Sequence, residues 1–291
     1  MKWFLGVAAI GLFVGFCIWN YRRIYPKPRL LGDHPCKIRV QKLCIPWNGH
    51  TLYGELLMPD NDGGKKLPTV ICSHGFNGSY RYFRSFSAPS LASAGYAVYC
   101  FDFYAGSLHG KSGGSMQELS VFMERDQLNA VIECIKGQSF VDLDHLFLFG
   151  ESQGGFVTAI TAAEHTDDVK AIILYYPAFC IQDDMLKRYK TPEELPQKIN
   201  FMGVTLGKVY YEKLFGYQPY DVASTYKRNV LVVHGDADRT VDVSFGKQAA
   251  ACYENARMEI LPYQDHGFNA KGKQDALALT YNFLEQETHD I

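Results

Sequence analysis

A serine held between glycines is the residue in this sequence best suited to nucleophilic chemistry. It is Ser152, in the segment GESQGG (residues 150–155), which has the form G-x-S-x-G. An apolar run at 145–149 precedes the segment, and a run with helical character at 153–165 follows it. A strand, a tight turn and a helix in this order would leave the Ser152 hydroxyl projecting at the end of a sheet, ready to attack a carbonyl carbon.

A serine hydroxyl needs a general base, and the base needs a carboxylate to orient it. In a strand–turn–helix arrangement of this kind, the order along the chain is serine, acid, histidine. Only His266 and His289 follow a plausible acid loop. His289 lies close to the C-terminal end of the sequence, where order is usually poor. We therefore predict His266 as the base.

Three aspartates compete for the role of the acid, and all lie in the loop GDADRTVD (residues 235–242). Asp236 could brace the turn through its backbone, and Asp242 could cap the helix that follows. Asp238 lies further into the loop, where its carboxylate could reach sideways to His266. We select Asp238, which completes a predicted Ser152–Asp238–His266 triad.

Two backbone N–H groups are needed to stabilise the oxyanion of a tetrahedral intermediate. We predict one donor in Gln153, directly after the nucleophile, and the other in Phe76, within the loop HGFNG (residues 74–78). His74 in that loop is interpreted as a structural hydrogen-bonding residue. Such a mechanism requires no metal and no cofactor.

The alternation of strands and helices must position these residues. Short apolar runs without polar alternation are typical of strands buried on both faces, and they occur at 68–74, 96–101, 145–149, 169–174 and 229–234. Helical patterns occupy 80–94, 116–136, 153–165, 244–255 and 273–286. This order predicts an α/β fold with a mostly parallel eight-stranded sheet and helices on both faces.

One interval, residues 177–221, breaks this alternation. No strand is evident there, whereas residues 202–215 could be helical. A structureless loop of this length is implausible in a compact domain. We therefore predict a helical cap inserted over one end of the sheet, within a catalytic domain that spans residues 24–291. Most of its aromatic residues would hold the cap on the domain, with one or two facing a pocket.

The N-terminal residues form a separate segment. Residues 3–19 carry no charge, and a run of this length lies at the short end of what spans a bilayer. Because the run ends in bulky residues, we predict a retained single-pass anchor over residues 1–23, with a cleaved signal peptide as the alternative. The basic residues after the run favour a cytoplasmic catalytic domain.

Composition narrows the classes of function. The chain has 29 Lys and Arg against 31 Asp and Glu, a net charge of −2, which argues against a general nucleic-acid binder. Apolar residues make up 47% of the sequence, as in ordinary folded domains. Eight cysteines form no C-x-x-C pair, which argues against a zinc or redox motif. Cys36 and Cys44 could pair across a hairpin, but free thiols are favoured.

Taken together, the motifs resemble the α/β-hydrolase superfamily. They are most similar to its cinnamoyl/feruloyl esterase and monoacylglycerol-lipase-like branch, also known as serine-aminopeptidase-like (S33-type) hydrolases. The segments that carry the resemblance are HGFNG (74–78), FDF (101–103), GESQGG (150–155), HGDADRTV (234–241) and DHGF (265–268). The pattern H-G-x-x-D-x-x-V of this family implies Asp238 as the acid. A helical cap after the sixth strand, also a family feature, matches residues 177–221.

Two departures from the family pattern bear on the substrate. Cinnamoyl esterases usually have histidine before the nucleophile, where this chain has Glu151. The stretch FYAGSLHGKS (residues 103–112), which follows Asp102, differs from the usual pattern D-x-x-G-H-G-x-S. Both weaken the expectation of a phenolic ester, and neither affects the triad.

The leading hypothesis is a membrane-anchored serine hydrolase that cleaves a small-molecule carboxylic ester through an acyl-enzyme intermediate. Its substrate would carry an apolar acyl or aryl group. The alternative enzyme is a peptidase or acyl-peptide hydrolase with the same triad. Since fold does not imply function, a non-catalytic binding protein is a third hypothesis.

Overall fold

The central feature of the computed structural model, which describes residues 31–32 and 35–289, is an eight-stranded sheet. Its strands run in the order β1-β4-β6-β5-β7-β8-β11-β12. The pairs β1–β4 and β4–β6 are antiparallel, and the remaining pairs are parallel. The described strands are β1 (Ile38–Lys42), β2 (Ile45–Trp47), β3 (His50–Leu52), β4 (Gly54–Pro59), β5 (Leu67–Ser73), β6 (Ala97–Phe101), β7 (Val141–Glu151), β8 (Ala171–Tyr175), β9 (Lys198–Phe201), β10 (Val204–Gly207), β11 (Asn229–Gly235) and β12 (Ala256–Leu261).

Helices cover both faces of this sheet, which confirms the predicted α/β-hydrolase architecture. The described α-helices are α1 (Arg81–Ser85), α2 (Ser87–Ser93), α3 (Val121–Lys136), α4 (Gln153–Ala162), α5 (Cys180–Arg188), α6 (Val209–Glu212), α7 (Pro219–Ala223), α8 (Val243–Cys252) and α9 (Ala270–His289). Neighbouring residues of one strand enter different cores: Ile71 of β5 packs with residues of α3 and α4, and Val70 packs with residues of α2 and α9. Successive side chains of a strand point to opposite faces, so both faces are buried.

The parallel strands bring three loops to one edge of the sheet. Ser73 of β5 pairs with Gly150 of β7. Glu151 of β7 pairs with Tyr175 of β8, which in turn pairs with Val233 of β11. Because these strands end side by side, the loops after β5, β7 and β11 begin close together. These loops contain the predicted site residues except His266, which follows β12, the strand paired with β11.

The segment between β8 and β11 differs from the prediction in one respect. It contains α5, a 3-10 turn (Pro192–Glu194), α6 and α7, but also an antiparallel hairpin formed by β9 and β10. The expected helix over 202–215 is wrong, since only Val209–Glu212 is helical. Met202 and Gly203 have positive φ angles of 47° and 79°. Two such residues in succession fit a two-residue hairpin turn and end any helix there.

The prediction of a membrane-anchored protein is wrong for the part of the chain that the structure describes. Across residues 31–32 and 35–289, every helix is too short or too polar to cross a bilayer. The predicted span itself, residues 3–19, lies outside the described residues. The seven described cysteines are all free, so Cys36 and Cys44 do not form a disulfide.

Candidate active site

Ser152 occupies a sharp turn between β7 and α4. Its backbone has φ 53° and ψ −120°, a conformation that L residues rarely adopt and that costs free energy unless the surroundings hold it. A Cβ atom on Gly154 would collide with the carbonyl oxygens of Ser73 and His74. A Cβ atom on Gly150 would collide with the carbonyl oxygen of Gly154. The two glycines therefore permit the turn that presents the serine side chain.

The three predicted triad residues come together in the structure. The Nε2 atom of His266 lies 3.0 Å from the Oγ atom of Ser152. On the other side of the ring, Nδ1 lies 2.8 Å from the Oδ2 atom of Asp238. With the proton on Nδ1, Nε2 is free to accept the serine proton, which is the arrangement that general-base activation requires.

The Asp238 carboxylate is held in its charged form. Burial raises the pKa of this carboxyl, but hydrogen bonds from His234 and His266 and the charge of His266 outweigh burial and hold the pKa well below its usual range. The Oδ1 atom also accepts the backbone N–H groups of Thr240 and Val241, both at 2.9 Å. The anion is thus fixed in the orientation that faces His266.

The competing aspartates have other partners. The Oδ1 atom of Asp242 accepts the N–H of Ser244 at 2.9 Å, which caps α8 as expected. Asp236 accepts the backbone N–H of Tyr263, so it joins the loop after β11 to the loop after β12. Neither carboxylate is hydrogen-bonded to His266, whose ring contacts Asp238 alone among the three.

A fourth aspartate, Asp265, was not singled out from the sequence. Its carboxylate accepts the backbone N–H of Arg239 at 3.0 Å and the N–H of His266 at 2.8 Å. The side chain of Arg239 also bonds to it, and these contacts lower the pKa of Asp265 to about 2. This ion pair links the acid loop to the histidine loop. In the sequence, Arg239 directly follows Asp238, and Asp265 directly precedes His266. These two adjacencies were the only sequence signal for the ion pair.

Phe76 and Gln153, the predicted oxyanion donors, both line a cavity that also contains Ser152. Gln153 is the first residue of α4, so its N–H has no acceptor within the helix. The loop that carries Phe76 packs closely on the nucleophile, since a Cβ atom on Gly75 would lie 3.1 Å from the Cβ atom of Ser152. His74 is buried, and its Nε2 accepts the N–H of Phe103 at 3.1 Å, which agrees with the structural role expected for it.

The same cavity, about 60 Å³, is mostly apolar. The segment between β8 and β11 supplies most of its walls: Ala178, Cys180, Ile181, Asp184, Phe201, Met202, Tyr210 and Tyr211. An apolar group of a substrate could therefore lie next to Ser152. A second cavity, about 160 Å³, is lined by Ser152, His266 and Glu151, among others.

A buried polar network beside the nucleophile was missed by the sequence reasoning. The Nε2 atom of Gln153 donates to the Oε2 atom of Glu124 at 2.7 Å, and the hydroxyl of Tyr210 donates to the Oε1 atom of Gln153 at 2.6 Å. All three side chains are buried, and burial raises the pKa of Glu124 to about 8. Glu124 falls within a predicted helix, but nothing in the local sequence pointed it toward Gln153.

Among the described residues, Glu133, His165 and Asp168 have the spacing of metal ligands. The Nζ atom of Lys136 already lies 3.1 Å from Glu133 and 2.8 Å from Asp168. Because this lysine offsets the negative charge, the group is better described as a surface ion-pair network.

Comparison with known proteins places the chain in a family. A model described as the prolyl oligopeptidase family matches residues 81–290. The chain belongs to this family. The predicted resemblance to the α/β-hydrolase superfamily is therefore confirmed, and the protein is a member of a family of serine hydrolases.

Two dipeptidyl peptidases match the chain over part of their own length. Dipeptidyl-peptidase 5 of Porphyromonas gingivalis is 27% identical over 258 residues, which cover 81% of this chain and 35% of that protein. Dipeptidyl peptidase 8 of Homo sapiens is 30% identical over 240 residues, which cover 75% of this chain and 25% of that protein. The chain thus spans about a third and a quarter of these relatives.

A solved structure described as ferulic acid bound to Est1E from Butyrivibrio proteoclasticus matches almost end to end. The TM-score is 0.76 at 27% identity, and the match covers 84% of this chain and 98% of that one. The proteins similar to this chain therefore include both dipeptidyl peptidases and a protein whose solved structure contains bound ferulic acid.

Proposed function

We propose that this member of the prolyl oligopeptidase family hydrolyses carboxylic esters of small molecules. The observation that carries the proposal is the hydrogen-bonded line from Asp238 through His266 to Ser152. Ser152 is the nucleophile, His266 the general base and Asp238 the group that orients the imidazole.

The reaction follows from this geometry. His266 Nε2 takes the Ser152 proton as Oγ attacks the ester carbonyl, and the N–H groups of Phe76 and Gln153 bind the resulting oxyanion. His266 then gives the proton to the leaving alcohol as the carbon–oxygen bond breaks, which leaves an acyl-serine. A water molecule, deprotonated by His266, attacks the acyl group, and Ser152 regains its proton as the acid is released.

The cavity supports an ester with a small apolar group. We propose that residues 177–221 act as a cap, since side chains such as Ile181, Phe201 and Tyr210 cover one side of Ser152. The nearly complete structural match to Est1E also favours an ester substrate, because that protein is of similar size and binds a phenolic acid.

A ladder of p-nitrophenyl esters, from acetate to long acyl chains, tests the proposal on the full chain. Ser152→Ala is the control, and Phe156→Leu, a buried change on the helix that follows the nucleophile, controls for general effects on the fold. We expect turnover that Ser152→Ala abolishes, with an optimum among short chains. Equal rates for wild type and Ser152→Ala would refute ester hydrolysis at Ser152. So would the absence of turnover of any ester by a folded wild-type chain.

A second candidate is a peptidase with the same triad. The observation that favours it is family membership, since the matched relatives include dipeptidyl peptidases. Aminoacyl and dipeptidyl p-nitroanilides in the same assay separate the two. A kcat/KM higher for the anilides than for the best ester would replace the ester proposal with this one.

A further inference from the structure

Both departures from the family pattern contribute residues to cavities that no residue of the 177–221 segment lines. Glu151 lines the cavity of about 160 Å³ that contains Ser152 and His266. A further cavity of about 320 Å³ is lined by Ser107 and His109, which belong to the second departing stretch. Residues that depart from the cinnamoyl-esterase pattern therefore line both of these cavities.

The two cavities are neighbours, since Gly78 and Tyr82 line both of them. We call the two cavities together the polar arm and define it by the lining residues Ser152, Glu151, Tyr82, Arg81 and His109. It provides room for the part of a substrate that does not lie under the cap.

Positive charge marks the far end of the polar arm. The guanidinium of Arg81 lies 5.5 Å from the centroid of the Tyr80 ring. Over residues 31–32 and 35–289, no carboxylate lies within ion-pair distance of Arg81, whereas Arg84 on the same helix binds Glu55 at 3.0 Å. Stacking on a ring leaves the in-plane N–H donors of an arginine available, and their planar fork suits carboxylates and phosphates.

The remaining groups at this end are compatible with an anion. His109 adds an imidazole to the lining, and this ring makes no hydrogen bond to another residue of the described chain. The hydroxyls of Ser79, Ser85 and Ser107 also line the cavity, and none of the lining residues there is acidic. An anionic oxygen would thus meet cationic and neutral donors without a repelling carboxylate.

Glu151 at the near end adds little negative charge. Its side chain is buried, and burial raises its pKa to about 8, although Lys273 and Tyr176 act in the opposite direction. Protonated, the group is neutral. Ionised, its charge is offset by Lys273, so the polar arm has no net negative charge at either end.

We infer that the polar arm selects esters whose group opposite the cap ends in an anionic oxygen, a carboxylate or a phosphate, bound by Arg81 and His109. The inference rests on the proposed ester hydrolysis at Ser152 and adds a substrate class to it. The bond cleaved and the proton transfers are those given above. The anionic group takes no part in the chemistry and only positions the ester.

Matched esters test this inference. One set joins butanoate to 1-butanol, to 3-hydroxypropanoate or to 2-hydroxyethyl phosphate. A mirrored set compares ethyl pentanoate with ethyl hydrogen succinate, in case the acyl group occupies the arm. We expect kcat/KM for an anionic ester to exceed that of its neutral partner about tenfold in at least one set, and the excess to shrink as salt is added. Comparing the carboxylate with the phosphate identifies which anion is preferred.

Arg81→Gln provides the decisive variant, and Arg257→Gln, an exposed arginine paired with Glu259, is the matched control. The anionic-to-neutral ratio should fall to about two in Arg81→Gln and stay near ten in Arg257→Gln. Equal kcat/KM for neutral and anionic esters in both sets would overturn the inference, as would a ratio that Arg81→Gln leaves unchanged.

Binding to Ser152→Ala separates this inference from the proposed function. Calorimetry of Ser152→Ala with the uncleaved esters measures their affinity for the polar arm even where turnover is absent. Tighter binding of an anionic ester, lost in Ser152→Ala combined with Arg81→Gln, supports the polar arm although ester hydrolysis fails. Turnover of neutral esters without any anionic preference supports hydrolysis and refutes the arm.

Discussion

The hydroxyl of Tyr210, in the segment that covers the site, donates a hydrogen bond to Gln153, the residue directly after the nucleophile. The Nε2 atom of the same Gln153 amide donates a hydrogen bond to Glu124 of α3. The centroid of the Tyr210 ring lies 6.1 Å from the centroid of the Phe76 ring, and the two rings meet edge to face. One cap residue therefore contacts both residues proposed to stabilise the oxyanion, so the cap is expected to influence the chemistry as well as the pocket.

Tyr210→Phe removes this hydroxyl and keeps the ring. The Oε1 atom of Gln153 would remain buried without its donor, which costs about 1 to 3 kcal/mol in the free energy of unfolding. We also expect kcat/KM to fall about three- to tenfold, because Gln153 is less firmly held. Denaturant unfolding and ester hydrolysis measure the two effects.

Tyr211→Phe is the stability control for that change. Tyr211 is the buried neighbour of Tyr210, and its hydroxyl makes no hydrogen bond to any other residue that the structure describes. Its removal should alter the free energy of unfolding by less than about 0.5 kcal/mol. Equal losses in the two variants would mean that the Tyr210–Gln153 bond contributes nothing specific.

Asp238→Asn should lower kcat by about 10³- to 10⁴-fold while the protein stays folded, because an amide no longer holds the imidazole in the required tautomer. Asp236→Asn, in the same loop, keeps an acceptor for the N–H of Tyr263 and should lower kcat less than about threefold. Steady-state kinetics on both variants gives the comparison. The opposite ranking would assign the acid role to Asp236.

Glu124 should make stability depend on pH. Its pKa rises from an ordinary 4.5 to about 8 in the folded protein because the carboxyl is buried. Between these values the unfolded chain loses the proton while the folded chain keeps it, so the contribution of Glu124 to stability falls as pH rises. Glu124→Gln removes this dependence. Relative to wild type, the variant should gain stability on the order of 2 to 4 kcal/mol between pH 5 and pH 8.

Chemical denaturation of both proteins across that pH range measures the effect. Glu118→Gln, which replaces an exposed glutamate close in sequence to α3, should follow the wild-type curve. A constant difference between Glu124→Gln and wild type at every pH would show that Glu124 has an ordinary pKa.

The cavity under the cap should set the preferred acyl length. Ile181→Phe adds volume to its wall, so kcat/KM for octanoate should fall about tenfold relative to acetate. Ile260→Phe, at an exposed position on β12, is the control and should leave the chain-length profile unchanged. An unaltered profile in Ile181→Phe would mean that the acyl chain lies elsewhere.

Local motifs made the nucleophile and its partners predictable. Gly150 is required for a local reason, since a Cβ atom there would collide with the carbonyl oxygen of Gly154, whereas Gly154 is required because it packs against the carbonyl oxygens of Ser73 and His74. Likewise, apolar runs such as that of β11 indicate strands buried on both faces wherever they occur. Asp238 was harder to select, since Asp236 and Asp242 offer the same carboxylate; its position further into the loop favoured it, and the family pattern agreed with that choice.

The hairpin of β9 and β10 was missed for a related reason. Its strands have only four residues each, too few for their alternation of apolar and polar residues to stand out in the sequence. The positive φ angles of Met202 and Gly203 determine the turn, and only the three-dimensional structure reveals them. Short elements of this kind are selected by the surface on which they pack.

The sequence by itself determined the fold class and the order of the proposed nucleophile, acid and base, because strand periodicity and short motifs are properties of neighbouring residues. The tertiary structure alone decided which distant side chains meet. Glu124, Gln153 and Tyr210 are far apart in sequence but joined by hydrogen bonds, and Arg81 and His109 line one cavity; no local pattern records either arrangement. Such contacts arise when helices and loops from separate parts of the chain pack against one sheet, and the pKa of Glu124 and the shape of the polar arm follow from that packing.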